Sequence, residues 1–351
     1  MPLHCESDRT GQYDDGTPLE RFRLRNSAGM QVDILDYGAT LQALRVPDRK
    51  TGEPVNLVLG FADPMQYLKP HPYFGALVGR YANRIGKARF ELDGQTFQIV
   101  PNEGPNALHG GPRGLSFQRF KGHLFEEADR VGVTLTCHSP DGDMGFPGDL
   151  DVTVHYSLDE DNRLTIDYEA ACSKPTVISL TNHAYFNLRG HGDVRDHQLE
   201  CAAGHYLVLN EQSIPTGTIA SVANTPYDFR TPATPSVLEQ VASEQLARAG
   251  GHDVALVLDH TPPDRPRATL TEPTGGRRLE IFTDQPSLQL YTGIGLDGTL
   301  PDHEGHPIKA FGGLALEAQQ FPDAPNHAHF PSTRLDPGEC YRQHTCYRLT
   351  F

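Results

Sequence analysis

Four stretches of the 351-residue chain are denser in polar groups than folding alone requires. One is Ser179-Leu180-Thr181-Asn182-His183-Ala184-Tyr185-Phe186-Asn187-Leu188, where Thr, Asn and His are interleaved with aromatic and aliphatic side chains. Such a mixture suits a sugar: an apolar floor meets the C–H face, and fixed donors and acceptors meet the hydroxyls. A second is Leu314-Ala315-Leu316-Glu317-Ala318-Gln319-Gln320-Phe321-Pro322-Asp323-Ala324, which sets a carboxylate inside an apolar run. Desolvation there raises the pKa of Glu317 toward the range of a general base. The other two are Gly79-Arg80-Tyr81-Ala82-Asn83-Arg84-Ile85-Gly86 and Asn106-Ala107-Leu108-His109-Gly110-Gly111. Read singly, each also fits a bland account, such as a strand end with satisfied polar groups or a buried Glu317 ion-paired with Arg84. Together they point to a site.

The elements that must hold these groups read as strands. Period-two patterns recur in Val32-Asp33-Ile34, Val133-Thr134-Leu135, Val152-Thr153-Val154-His155-Tyr156, Leu164-Thr165-Ile166-Asp167-Tyr168, Leu207-Val208-Leu209, Leu279-Glu280-Ile281 and Leu288-Gln289-Leu290-Tyr291. Each places apolar side chains on one face of a sheet. The 34 Gly and 28 Pro are scattered without a period, which suits short strands joined by turns. One segment reads as a helix: Ser236 to Glu239 form a capping box, Val237, Leu238, Val241 and Ala242 follow helical spacing, and Gly250-Gly251 ends it. No alternation of strand with long helix occurs, so a doubly wound α/β fold is not expected. The expectation is an all-β fold, one large antiparallel β-sandwich with few short helices, spanning residues 1–351 as a single domain.

Composition narrows the partners. The formal net charge is −15, and no run of Lys or Arg occurs, which argues against nucleic acid and anionic membranes. No apolar stretch approaches a membrane span. The six cysteines form no C-x-x-C pair and are expected to be reduced. The polar, acidic N-terminus does not read as a secretory signal, so the expected location is the cytoplasm. Gly293-Ile294-Gly295-Leu296-Asp297-Gly298 matches G-x-G-x-x-G, but no helix opens after it to hold a pyrophosphate, so it reads as a loop. The pairs His303/His306 and His327/His329 complete no recognised ligand set, so no metal is expected.

The stretches combine into a known pattern. The chain resembles the aldose 1-epimerase (galactose mutarotase) family in GRYANRI with the following FELDG, in NALHGG, in TNHAYFNL and in ALEAQQFPDAPN, with IPTGTI and PYDFR between them. The resemblance runs from about Asp36 to the C-terminus. It implies a large β-sandwich that interconverts α and β anomers of free aldohexoses without metal or organic cofactor. It implies Glu317 as general base, His183 as general acid, and Asn83, Arg84, His109, Asp253 and Gln289 as sugar ligands. The expected partner is a small-molecule aldose, handled by a monomer or homodimer. The chain departs from the family where Val254 and Ala255 follow Asp253, where Ile294 follows the LYTG stretch, and across Leu115–Phe120. These departures fall around the sugar, whereas the catalytic pair is intact. Three rival readings compete: a non-catalytic sugar-binding protein, a glycoside hydrolase using Glu317 with Asp253, and an epimerase of a phosphorylated hexose.

Overall fold

The period-two segments all form strands, because each has one apolar face to bury. The computed structural model describes residues 2–351 and is built on three antiparallel sheets. The first has five strands: His4–Gln12, Pro18–Arg25, Gln31–Leu35, Thr40–Pro47 and Pro54–Asn56. The second has eight, in the order Lys121–Glu126, Arg130–Ser139, Leu150–Asp159, Arg163–Cys172, Tyr341–Thr350, Arg278–Thr283, Ala268–Thr271 and Gln198–Cys201. The third has six, in the order Tyr185–Phe186, Leu314–Gln319, Ser287–Tyr291, Asp253–Val257, His205–Leu209 and Pro215–Ser221. One apolar core runs between them, drawing Leu24 and Ile34 from the first sheet, Val154, Ile166 and Tyr347 from the second, and Leu256, Leu290 and Leu316 from the third.

The six-stranded sheet positions the chemistry. In Leu314–Gln319 every residue is buried. Leu314, Leu316 and Ala318 enter the core, so by alternation Ala315, Glu317 and Gln319 share the opposite face. The neighbouring strand puts Leu288 and Leu290 in the core and Gln289 and Tyr291 on the face of Glu317. Asp253–Val257 does the same with Val254 and Leu256 against Asp253. In register, Gln289 lies opposite Glu317 and Asp253 opposite Tyr291. A one-residue slip would expose these apolar side chains, at ~1.5–3 kcal/mol each. The core therefore sets the register of the catalytic face. Val254, a family departure, is thereby a core residue, and Ala255 is buried on the opposite face.

The expected single helix forms as two, Pro235–Leu238 and Glu244–Ala249. Their caps are Thr234, whose side chain accepts from the Val237 amide, and Ser243, which accepts from Leu246. Ser236 is thus not the cap: Thr234-Pro235 is the better start, because proline fits the first helical turn. Gly250 stops the second helix at φ 79°. Gly293–Gly298 leads from one strand into another, with no helix after it. The six cysteines are unpaired. No helix among the described residues is long and apolar enough to cross a membrane.

Candidate active site

His183 sits between two short strands, Thr181–Asn182 and Tyr185–Phe186. The buried Asn182 amide shapes this turn, donating to Gly75 O at 2.7 Å and to the Tyr156 hydroxyl at 3.1 Å and accepting the Ala184 amide at 3.0 Å. The His183 backbone pairs with Ala76 O at 2.9 Å and Gly75 N at 3.0 Å. Its ring packs against Tyr185, with centroids 4.8 Å apart, and lies nearly parallel to Tyr73 at 5.9 Å. The side chain thus has a fixed direction. Its Nε2 lies 3.7 Å from Glu317 Oε1.

The second wall comes from the paired segments Arg84–Ile85 and Ala107–Leu108. The Arg84 guanidinium donates to both oxygens of Glu103, at 2.6 and 2.8 Å, and its Nη1 lies 3.5 Å from Asp253 Oδ2. The bland alternative of a Glu317–Arg84 ion pair is therefore not what forms: Glu103 and Asp253 take the guanidinium, and Glu317 faces His183. Gln289 Nε2 donates to Asp253 Oδ1 at 2.5 Å, which fixes Asp253 from the other side. The Asn83 amide donates to His109 Nδ1 at 3.2 Å, so the neutral ring carries its proton on Nε2. Gly110 must be glycine for this loop to close, since a Cβ there would lie 2.0 Å from Gly79 O.

Arg84, His109, His183, Asp253 and Glu317 line one cavity of about 510 Å³, together with Tyr73, Glu103, Tyr185, Tyr291 and Ile294. That volume falls in the ~300–1,000 Å³ range of small-ligand sites. Asn83 and Gln289 lie one layer back, where they orient His109, Arg84 and Asp253. Tyr73, Tyr185, Tyr291 and Glu103 were not anticipated. Tyr185 stands in a motif read from sequence, and period two along Leu288–Tyr291 puts Tyr291 beside Gln289. Nothing in the sequence marks Tyr73 or Glu103. A second cavity of the same volume, about 510 Å³, lies by Asp48, Arg189, Glu272 and Arg277. Its charges neutralise each other, with Arg277 2.6 Å from Asp48 and Arg189 3.2 Å from Glu272, and it holds no acid–base pair of the first kind.

Burial governs the charges. Desolvation pushes the Glu317 carboxyl well above the usual carboxylate range; nearby Asp253 adds to the rise and Arg84 opposes it. Desolvation pushes His183 down to about 4 and His109 well below the ordinary imidazole value. Burial works against the charge on Arg84, but Asp253 and Glu103 outweigh it and hold the guanidinium ionised. Tyr73, Asn83 and His109 all take left-handed backbone conformations, with φ of 57°, 62° and 52°. Such residues cost ~1–3 kcal/mol each and gather at functional sites.

His109, His183 and Glu317 each bring one ligand-type atom within 4.8 Å of the others, but the hydrogen bonding of His109 does not fit a metal. A metal-bound histidine donates its other N–H to an acceptor. Here Nδ1 of His109 already faces the Asn83 N–H donor, so Nε2 carries a proton where a metal would need a lone pair. The His303, His306, His327 and His329 rings assemble no such cluster among the described residues. His303 is held by Gln42 O at 3.2 Å and His329 by Gly217 O at 2.7 Å.

The fold and cavity define a β-sandwich enzyme with a buried carboxyl–imidazole pair beside a ring of fixed hydrogen-bonding groups. The family model for aldose 1-epimerase matches residues 20–348. A galactose mutarotase of Rattus norvegicus is 41% identical over 337 residues, covering 95% of each chain. An aldose 1-epimerase of Escherichia coli is 40% identical over 339 residues, covering 95% of this chain and 96% of that one. The crystal structure of a galactose 1-epimerase from Lactobacillus acidophilus superposes with a TM-score of 0.89 at 28% identity over 99% of both chains. The chain belongs to the aldose 1-epimerase family, and it is an isomerase.

Proposed function

We propose that the chain interconverts the α and β anomers of free aldohexoses such as galactose and glucose, with Glu317 and His183 exchanging protons with the sugar. The observation that carries this reading is the 3.7 Å separation of His183 Nε2 and Glu317 Oε1. Mutarotation acts on two oxygens bonded to one carbon, the anomeric O1 and the ring O5. The acid and base must therefore stand close together. Retaining and inverting glycoside hydrolases instead use two carboxyl groups, whereas the group beside Glu317 is an imidazole.

In the reaction Glu317 takes the proton of the O1 hydroxyl while His183 gives one to O5. The C1–O5 electron pair moves onto O5 and the O1–H pair forms the aldehyde. Rotation about C1–C2 and the reverse proton transfers close the ring on the other face. No electrons leave the substrate. In the free site burial favours the neutral carboxyl and neutral imidazole. That pair holds one proton, the same number as ionised Glu317 with protonated His183. The reactive form thus arises by moving a proton within the site, without exchange with solvent.

Arg84 and Asp253, held against each other, offer donors and acceptors to the sugar hydroxyls, and His109 offers its Nε2–H. Asn83 and Gln289 act on the sugar through these groups. A free aldose is the only partner this chemistry requires, and we place the chain in the cytoplasm as a monomer or homodimer. Polarimetry of freshly dissolved α-galactose and α-glucose is the test. Acceleration of mutarotation supports the reading, and unchanged rates with every aldose tried overturn it.

A further inference from the structure

Asp323 follows the strand of Glu317 within the stretch Phe321-Pro322-Asp323-Ala324-Pro325-Asn326. It does not line the cavity, yet it is only 4% exposed and takes the left-handed conformation at φ 56°, uncommon for a residue with a Cβ. An isolated buried carboxylate is costly and persists only when hydrogen-bonded. Its partners are specific. Its amide donates to Arg84 O at 2.9 Å. Its Oδ1 accepts the Gly86 amide at 2.9 Å and Asn326 Nδ2 at 2.6 Å, and His327 Nε2 lies 3.2 Å from Oδ2. Two further bonds stitch the same segments: the Tyr81 hydroxyl to Phe321 O at 2.9 Å, and Asn326 Nδ2 to Arg89 O at 3.0 Å.

We propose that Asp323 is a positioning residue that fixes the Arg84 guanidinium relative to the Glu317 carboxyl. Arg84 lies on a two-residue strand, and Glu317 belongs to a sheet whose core locks it. Asp323 grips Arg84 at its carbonyl and, through Gly86, two residues further on. The chain leaving Glu317 thereby sets where Arg84 begins, while Glu103 and Asp253 set where its side chain ends. The inference rests on the reading of Arg84 as a sugar-binding group.

The test uses full-length Asp323→Ala and Asp323→Asn variants, with mutarotation kinetics for turnover and calorimetric titration of galactose for binding. Displacing a binding group raises KM without touching the proton transfers, so Asp323→Ala should raise KM and Kd about 10-fold and change kcat by less than about threefold. Asp323→Asn, whose Oδ1 still accepts the Gly86 amide, should recover KM to within about threefold of the parent. In an Arg84→Ala background, Asp323→Ala should add nothing further to Kd, because the group it positions is gone. If Asp323→Ala does not fold, Asn326→Ala, which removes one donor from Asp323 Oδ1, should raise KM about threefold with kcat kept. An unchanged KM and Kd, with activity falling only as the folded fraction falls, overturns the proposal. The titration separates the two claims: galactose that binds without being mutarotated sinks the proposed function, and Arg84→Ala weakening binding while Asp323→Ala does not sinks the positioning role.

Discussion

His183 Nε2 and Glu317 Oε1 are 3.7 Å apart, both residues are about 95% or more buried, and no hydrogen bond joins them. Two groups so placed share a proton only through what comes between them. The O1–C1–O5 edge of the sugar, lying across the pair, lets each group reach one oxygen. Glu317→Gln and His183→Asn should each lower kcat by about 10²–10⁴-fold with folding retained. The double variant should be little worse than the poorer single, because the pair acts as a unit. Polarimetry at saturating galactose measures this; either single variant turning over near the parent rate removes that residue from the chemistry.

The raised carboxyl of Glu317 has a consequence for stability. Below the ordinary carboxylate range the group is neutral in both folded and unfolded chains. As pH rises, the unfolded chain sheds its proton first while the folded one keeps it, so folding loses stability until the folded group also ionises. Glu317→Gln removes this loss. Its melting temperature should exceed that of the parent at pH 8, and the gap should close near pH 4. A gap that persists at pH 4 would mean the gain comes from elsewhere.

Activity needs one proton on the His183–Glu317 pair. A second proton reaches the pair only near the depressed histidine value, about 4. The acid limb of kcat/KM should therefore lie near pH 4, and His183 should not limit the rate at pH 6. An acid limb at the ordinary imidazole value would show that His183 is not desolvated in the working enzyme.

Asp253 is held by Gln289 Nε2 at 2.5 Å and Arg84 Nη1 at 3.5 Å, ready to accept sugar hydroxyls. Hydrogen bonds to charged groups contribute ~1.5–3 kcal/mol, so Asp253→Ala should raise KM about 10–100-fold with a smaller effect on kcat. A KM equal to that of the parent would remove Asp253 from the binding site. The rival hydrolase, which needs Asp253 as its second carboxyl, predicts release of sugar from an aryl galactoside; none is expected.

Ile294 lines the cavity without a polar atom. Ile294→Asn should change the ratio of kcat/KM between galactose and glucose by about 10-fold or less, the scale of a modest pocket contact, while leaving the pH profile in place. Equal ratios in variant and parent would show that Ile294 does not meet the hydroxyl in which the two sugars differ.

Much of this was legible in the sequence because alternation reports burial directly. The apolar run around Glu317 became a strand buried on both faces, and the segment 179–188 became the turn that carries His183. What escaped depended on contacts between distant segments. The partners of Arg84 come from the loop of Glu103 and the strand of Asp253, and no local pattern names them. Tyr73 reaches His183 from a left-handed turn that its own neighbours do not announce. The helix start moved because Thr234-Pro235 competes better for the cap than Ser236, a choice decided by a single backbone amide.

The strand Leu314–Gln319 serves the core with one face and the cavity with the other. A shift of one residue along this strand would put Leu316 or Ala318 where the reactive carboxyl stands. Other residues that line the cavity, such as Ser213, Ala249 and Ile294, lie outside that register. Substitution at those positions alters the wall that meets the sugar and leaves the proton chemistry in place.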